Sequence, residues 1–69
     1  MNRMPASPLI MKGLQIAEMS LGIDVLSQKL GTPASLIRDW RLGDAAMPER
    51  KFLLLVDILT ELDPDWMGR

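Results

Sequence analysis

The sequence predicts an all-α protein, a compact bundle of four or five short helices that forms one domain over residues 1–69. Apolar side chains recur at spacings of three and four residues, which is the period of a helix with one buried face. Glycine and proline divide these stretches into short segments. Hydrophobic residues make up 48% of the chain, which is enough to form a core.

Cysteine and histidine are both absent from the sequence. The chain therefore has no disulfide and no thiolate nucleophile, and it lacks the usual general base and the commonest metal ligand. Glycine-rich phosphate loops and acidic calcium loops are absent too. We therefore expect a protein that is not an enzyme and that needs no metal or small-molecule cofactor.

The apolar pattern and the charge distribution predict the location of the protein and the partners that it can bind. No apolar run approaches the roughly 18 residues of a membrane span, and the first eight residues lack the apolar core of a signal peptide. We expect a cytoplasmic protein with no membrane association. The net charge is −1, but residues 1–42 carry +2 and residues 43–69 carry −3. The thin basic excess in the first part favours, at most, weak and salt-sensitive binding of phosphates.

The first helix is expected to follow a loose N-terminal arm at residues 1–6. Ser7 is expected to act as its N-cap and Pro8 to occupy its first position, since the first turn needs no proline N–H. Gly13 lies inside this helix, and its missing side chain would let another helix approach closely. The helix ends near Leu21, and its core face comprises Ile10, Leu14, Ala17 and Leu21.

Two short helices joined by a tight turn follow, at about Ile23 to Leu30 and Pro33 to Leu42. Gly31 is expected to close the first of them in the left-handed conformation, which costs glycine least. Thr32 is expected to N-cap the second, and Pro33 suits its first turn. The apolar spacing places four side chains inside the angle between the helices: Leu26, Leu30, Ile37 and Trp40.

The stretch LGTPASLIRDW resembles the helix-turn-helix of the Cro/repressor type, a DNA-binding module of small bacterial and phage regulators. The resemblance covers about Leu14 to Leu62 and rests on Gly31 in the turn, Ile37 in mid-helix and Trp40 three residues later. Ser27 and Thr32 depart from the pattern, because the family usually has alanine at the first and valine or isoleucine at the second. The resemblance implies a lambda-repressor-like fold and sequence-specific binding of double-stranded DNA.

The resemblance also implies a set of contacts for the second helix of the motif, which enters the major groove in that family. The implied base-contacting residues are Ala34, Ser35, Arg38 and Asp39. The implied phosphate-contacting residues are Lys29, Thr32 and Arg41. The alternative for the two arginines is a solvated helix face on which Asp39 is a local partner.

A last helix is predicted from about Pro48 to Leu62, where Asp63 and Pro64 stop it. Its core face comprises Phe52, Leu55, Val56, Leu59 and Leu62. Leu54 and Ile58 form a second apolar stripe, and a helix that is apolar on two sides is buried twice. Either the tail, residues 64–69 with Trp66 and Met67, folds back over the helix, or a second copy of the chain covers the stripe in a homodimer.

Two functions therefore compete at this point. The first is a transcriptional regulator, repressor-like, that binds duplex DNA as a homodimer. The second is a protein-interaction module that keeps the helix-turn-helix scaffold and has lost DNA binding. The poor basic balance and Asp39 favour the second function, whereas the chemistry of the turn favours the first.

Overall fold

Four α-helices make up most of the protein in the computed structural model, which describes residues 3–4 and 8–68. A short 3₁₀ turn at Trp66–Gly68 and one antiparallel pairing of two residues with two complete the regular structure of this part of the chain. The elements in order are β1 (Arg3–Met4), α1 (Pro8–Leu21), α2 (Ile23–Leu30), α3 (Ala34–Leu42), β2 (Met47–Pro48) and α4 (Glu49–Leu62).

The prediction of a compact, mostly helical bundle of four helices is confirmed. The radius of gyration of the Cα atoms is 10.8 Å, close to the roughly 11 Å expected for a folded chain of this length. Helix α1 contacts each of the other three helices, so the bundle is built around it. A fifth helix exists only as the 3₁₀ turn near the C-terminus.

Two glycines end the helices that flank the turn region. Gly31 has φ 58° and Gly43 has φ 83°, both in the left-handed region that favours glycine. In each case the glycine N–H and the following N–H donate back to carbonyls of the last helical turn. This is the Schellman arrangement, which stops a helix abruptly and confirms the predicted role of Gly31.

The predicted N-cap of α3 is wrong by one residue. Pro33 is the N-cap, and it makes no side-chain capping hydrogen bond. The Thr32 hydroxyl instead donates backward to the Leu30 carbonyl at 3.0 Å. The Schellman turn at Gly31 causes this, because it holds Thr32 against the end of α2 rather than at the start of α3. The Ser7 N-cap predicted for α1 lies outside the described residues.

The N-terminal arm is not loose at Arg3–Met4. The backbone of Arg3 pairs with Pro48 and that of Met4 with Met47, in antiparallel register. The pairing places β1 beside β2, in the segment that connects α3 to α4. Met47 is 1% exposed, so this segment also contributes to the core. The other residues of the arm lie outside the described part of the chain.

The core confirms most of the predicted apolar faces. All four side chains predicted between α2 and α3 are buried, including Trp40 at 2% exposure. Leu62 is 40% exposed, so its assignment to the core face of α4 is wrong. The buried hydrophobic residues are Ile10, Leu14, Ala17, Leu26, Leu30, Ile37, Trp40, Met47, Leu55, Leu59 and Trp66.

Gly13 is the point where α1, α4 and the tail meet. A Cβ atom on Gly13 would lie 2.9 Å from Leu59 Cδ1 and 3.1 Å from Trp66 Cζ3, both closer than normal packing allows. The predicted close approach at this glycine is therefore confirmed. Trp66 folds back onto α1 and is 1% exposed, whereas Met67 is 57% exposed.

Candidate nucleic-acid interface

The outer face of α3 carries the residues that the sequence singled out as candidate base contacts. Ser35, Arg38 and Asp39 are all exposed, and Leu42 continues the same line at 64% exposure. Their spacings of three, four and seven residues place them on one stripe of the helix. Ala34 is only half-buried and lies at the edge of this stripe. We call Ser35, Arg38, Asp39 and Leu42 the α3 stripe.

The α3 stripe is held from behind by the core. Ile37 and Trp40, on the opposite side of the same helix, are 1% and 2% exposed. The helix is therefore fixed in rotation, and the stripe cannot turn inward without breaking the core. A helix of nine residues is about 13–14 Å long, comparable with the roughly 12 Å width of the DNA major groove.

The first turn of α3 leaves backbone N–H groups without an acceptor inside the helix. The first backbone bonds of the helix run from Leu36 and Ile37, which both donate to the Pro33 carbonyl. The N–H groups of Ala34 and Ser35 precede these bonds, and Pro33 adds no side-chain cap. Such leading N–H groups, together with the positive end of the helix dipole, favour an anion such as a phosphate.

Both hydrogen-bond donors of Thr32 are used within the turn. Its N–H donates to the Ser27 carbonyl at 3.1 Å, and its hydroxyl donates to the Leu30 carbonyl. Its own carbonyl accepts from the Ser27 hydroxyl at 2.6 Å. The residue is 5% exposed. Thr32 is therefore a structural residue of the turn, and its assignment as a phosphate contact stays a prediction.

The same hydrogen bonds explain both departures from the Cro/repressor pattern. Ser27 and Thr32 are the two positions where that pattern is usually apolar. Here the Ser27 hydroxyl donates to the Thr32 carbonyl at 2.6 Å, and the Thr32 hydroxyl donates to the Leu30 carbonyl at 3.0 Å, so each polar side chain bonds to the backbone of the turn. A pattern based on hydrophobicity alone does not reveal these bonds, because their acceptors are backbone carbonyls.

Arg41 forms an ion pair with Glu18 on α1. Its Nη1 lies 3.5 Å from Oε2 of Glu18 on α1, and the side chains are 35% and 25% exposed. Arg41 Nε and Glu18 Oε1 are both buried without a hydrogen-bond partner. The pair is thus incomplete, with one long contact between two partly buried charges. The phosphate contact of Arg41 stays a prediction.

Lys29 lies beside a shallow groove on another part of the surface. The groove has a volume of about 190 Å³ and is lined by Leu21, Lys29, Ile58, Glu61 and Leu62. Its lining comes from α1, α2 and α4 and includes no residue of α3. The structure therefore does not place Lys29 on the α3 stripe, and its phosphate contact stays a prediction.

The predicted dimer stripe adjoins this groove. Leu54 is 40% exposed, as an interface residue of a free monomer would be. Ile58 is half-buried and packs partly against the core. Trp66, the buried tryptophan of the tail, packs against α1 at Gly13.

Lys51 is a residue that the sequence analysis missed. Its Nζ donates to the Leu30 carbonyl at 2.6 Å and lies 3.4 Å from the Gly31 carbonyl. A cation at the C-terminus of a helix is favourable because it meets the negative end of the helix dipole. Lys51 thus ties α4 to the turn that sets the direction of α3. A lysine 20 residues away from Gly31 gives no local signal of this role.

Other kinds of site find little support in the described residues. Residues 8–68 contain no group of three or more acidic side chains placed to hold a metal ion. The longest helices there have 14 residues, and none is long and apolar enough to cross a membrane.

Comparison with known proteins gives no relative: no family model, curated protein or solved structure matches the chain significantly.

Proposed function

We propose that this protein binds duplex DNA in a sequence-specific manner as a small transcriptional regulator, with α3 in the major groove. The observation that carries the proposal is the α3 stripe: a short helix exposes Ser35 and Arg38 together while Ile37 and Trp40 fix its rotation. The two helices α2 and α3, joined by the turn at Gly31, make up the helix-turn-helix of this proposal.

Arg38 is the proposed principal base contact. Its guanidinium is exposed, and it can donate two hydrogen bonds to the O6 and N7 atoms of a guanine. Ser35, one turn nearer the N-terminus, can bond a base or a phosphate. Asp39 can accept from the amino group of a cytosine, and Ala34 can contact a thymine methyl group. Each bidentate pair is worth about 1–3 kcal/mol of discrimination between bases.

Phosphate contacts would come mainly from the start of α3. The leading N–H groups of Ala34 and Ser35 can hold one phosphate without any side-chain charge. Few cations support them, so one copy of the chain should bind weakly. A homodimer through the Leu54 and Ile58 stripe would double the contacts and place two α3 helices on two half-sites.

Selection of bound duplexes from a random pool tests the proposal. We expect enrichment of a short motif containing a guanine, in two half-sites if the protein dimerises on the DNA. The same selection with Arg38→Ala should lose the preference for that guanine. A pool that shows no enrichment in either case would contradict sequence-specific binding.

A second candidate is a protein-interaction module on the same scaffold. Two observations favour it: Leu42 adds an exposed apolar side chain to the α3 stripe, and Glu18 neutralises Arg41. The charge of −3 on residues 43–69 points the same way. This candidate predicts no binding to any duplex even at low salt, which is where the two functions separate.

A further inference from the structure

We propose that Glu18 sets the strength of DNA binding by competing with phosphate for Arg41, an inference that rests on the proposed function. The first observation is position. Arg41 lies three residues after Arg38 of the α3 stripe, so the two side chains are neighbours on the helix and Arg41 begins beside the surface that would meet DNA. Glu18 reaches it from α1, a different helix.

The second observation is the quality of the ion pair. The two side chains share one contact of 3.5 Å, although a guanidinium and a carboxylate can make two shorter hydrogen bonds. Arg41 Nε and Glu18 Oε1 are buried and make no hydrogen bond. Because the pair satisfies the two groups only in part, a phosphate oxygen can compete with Glu18 for the guanidinium.

The third observation is the cost of that exchange. Glu18 is only 25% exposed, so its carboxylate would stay partly buried without its partner once Arg41 moved to a phosphate. Leaving an ionised carboxylate partly buried without a partner costs free energy, and this cost opposes the exchange. Glu18 therefore holds Arg41 back and reduces the number of phosphates that the protein neutralises.

The test compares two substitutions that each remove one negative charge. Glu18→Gln removes the competitor and keeps the shape of the side chain, whereas Asp57→Asn changes an exposed carboxylate on α4. Binding to a labelled duplex of random sequence is measured over a range of salt concentrations. We expect Glu18→Gln to tighten binding about two- to fivefold more than Asp57→Asn does, the range expected for a partly exposed ion pair.

The salt dependence supplies a second readout. With Arg41 released, one more phosphate is neutralised, so log K against log salt should become steeper by about 0.9 in Glu18→Gln. The gain should disappear when Arg41→Gln is added, because the cation that Glu18 restrains is then missing. In the Arg41→Gln background, Asp57→Asn should keep its own small effect. Thermal unfolding of each variant confirms that the folded protein is being compared.

Two results overturn the inference in distinguishable ways. Equal gains from Glu18→Gln and Asp57→Asn, or a Glu18→Gln gain that survives Arg41→Gln, would show that only net charge matters. DNA binding would then stand, but the role of Glu18 would fall. If neither wild type nor Glu18→Gln binds duplex at low salt, the proposed function fails and the inference fails with it.

Discussion

Replacing Lys51 by methionine should destabilise the protein through the turn between α2 and α3. Methionine keeps most of the apolar stem of lysine and removes the charge, so the packing changes little. The Leu30 carbonyl loses the bond from Nζ at 2.6 Å, and the end of α2 loses its cation.

The expected magnitude follows from these two losses. A hydrogen bond to a charged group contributes about 1.5–3 kcal/mol when it is well buried, and a cation at a helix C-terminus contributes about 0.3–1 kcal/mol. Lys51 is only partly buried, and the Thr32 hydroxyl still donates to the same carbonyl. We therefore expect a loss of about 1–2 kcal/mol in the free energy of unfolding, which lowers the Tm by roughly 5–15 °C in a domain of this size.

Thermal and urea unfolding followed by far-ultraviolet circular dichroism measures this effect. Arg50→Met is the matched control, since it removes one positive charge from the neighbouring, exposed position of the same helix. The control should change the free energy of unfolding by less than about 0.5 kcal/mol. If Lys51→Met unfolds at the same temperature as Arg50→Met, the bond from α4 to the turn contributes nothing and the reasoning is wrong.

Three further predictions concern the core and the surface. Trp40→Ala should cost about 3–5 kcal/mol, near the whole stability of a small domain, and a folded variant with an almost unchanged Tm would refute the core assignment. Gly13→Ala should destabilise the protein because the new methyl group would clash with Leu59 and Trp66, although alanine favours a helix over glycine by about 1 kcal/mol. A raised Tm of this variant in the same thermal unfolding assay would contradict the close packing. Leu54→Lys should leave the Tm nearly unchanged but abolish the homodimer, which sedimentation equilibrium would detect as twice the chain mass of 7.7 kDa. A wild type that is monomeric at high concentration would exclude that interface.

The helices were predictable from the sequence because their signals are local. Glycine and proline mark the ends of α1, α2 and α3, and the spacing of three and four identifies the faces that hold Leu26, Ile37 and Trp40. The left-handed glycine in the turn follows from one residue type in one position. The exposed Ser35 and Arg38 follow from the same spacing, since they lie opposite the buried face of α3.

The contacts that the sequence did not reveal join residues that are distant along the chain. Arg41 pairs with Glu18 on another helix, and Lys51 bonds to carbonyls 20 and 21 residues away. Thr32 was assigned as a cap because threonine is a favoured N-cap residue, but its hydroxyl donates back to the Leu30 carbonyl at the end of α2. Helical periodicity reports which side of a helix is buried, and it says nothing about which polar groups meet across the bundle.

The pairing of Arg3–Met4 with Met47–Pro48 was missed for the same reason. Two residues are too short to show the alternation that marks a strand, and the partners are more than 40 residues apart. Trp66 could be suspected of folding back because it is apolar, but its seat at Gly13 depends on how α1 and α4 cross. These features depend on how the helices pack together. That packing is determined by many residues at once, and no short stretch of sequence reveals it.

The most direct test of DNA binding through α3 is a titration of a labelled duplex at two salt concentrations, about 50 and 200 mM. Wild type is compared with Arg38→Ala and with Arg50→Ala, which removes an equal charge from the exposed start of α4. We expect binding at low salt that weakens steeply at high salt, a large loss of affinity in Arg38→Ala and a small loss in Arg50→Ala. No binding at low salt, or equal losses in the two variants, would contradict DNA binding through α3.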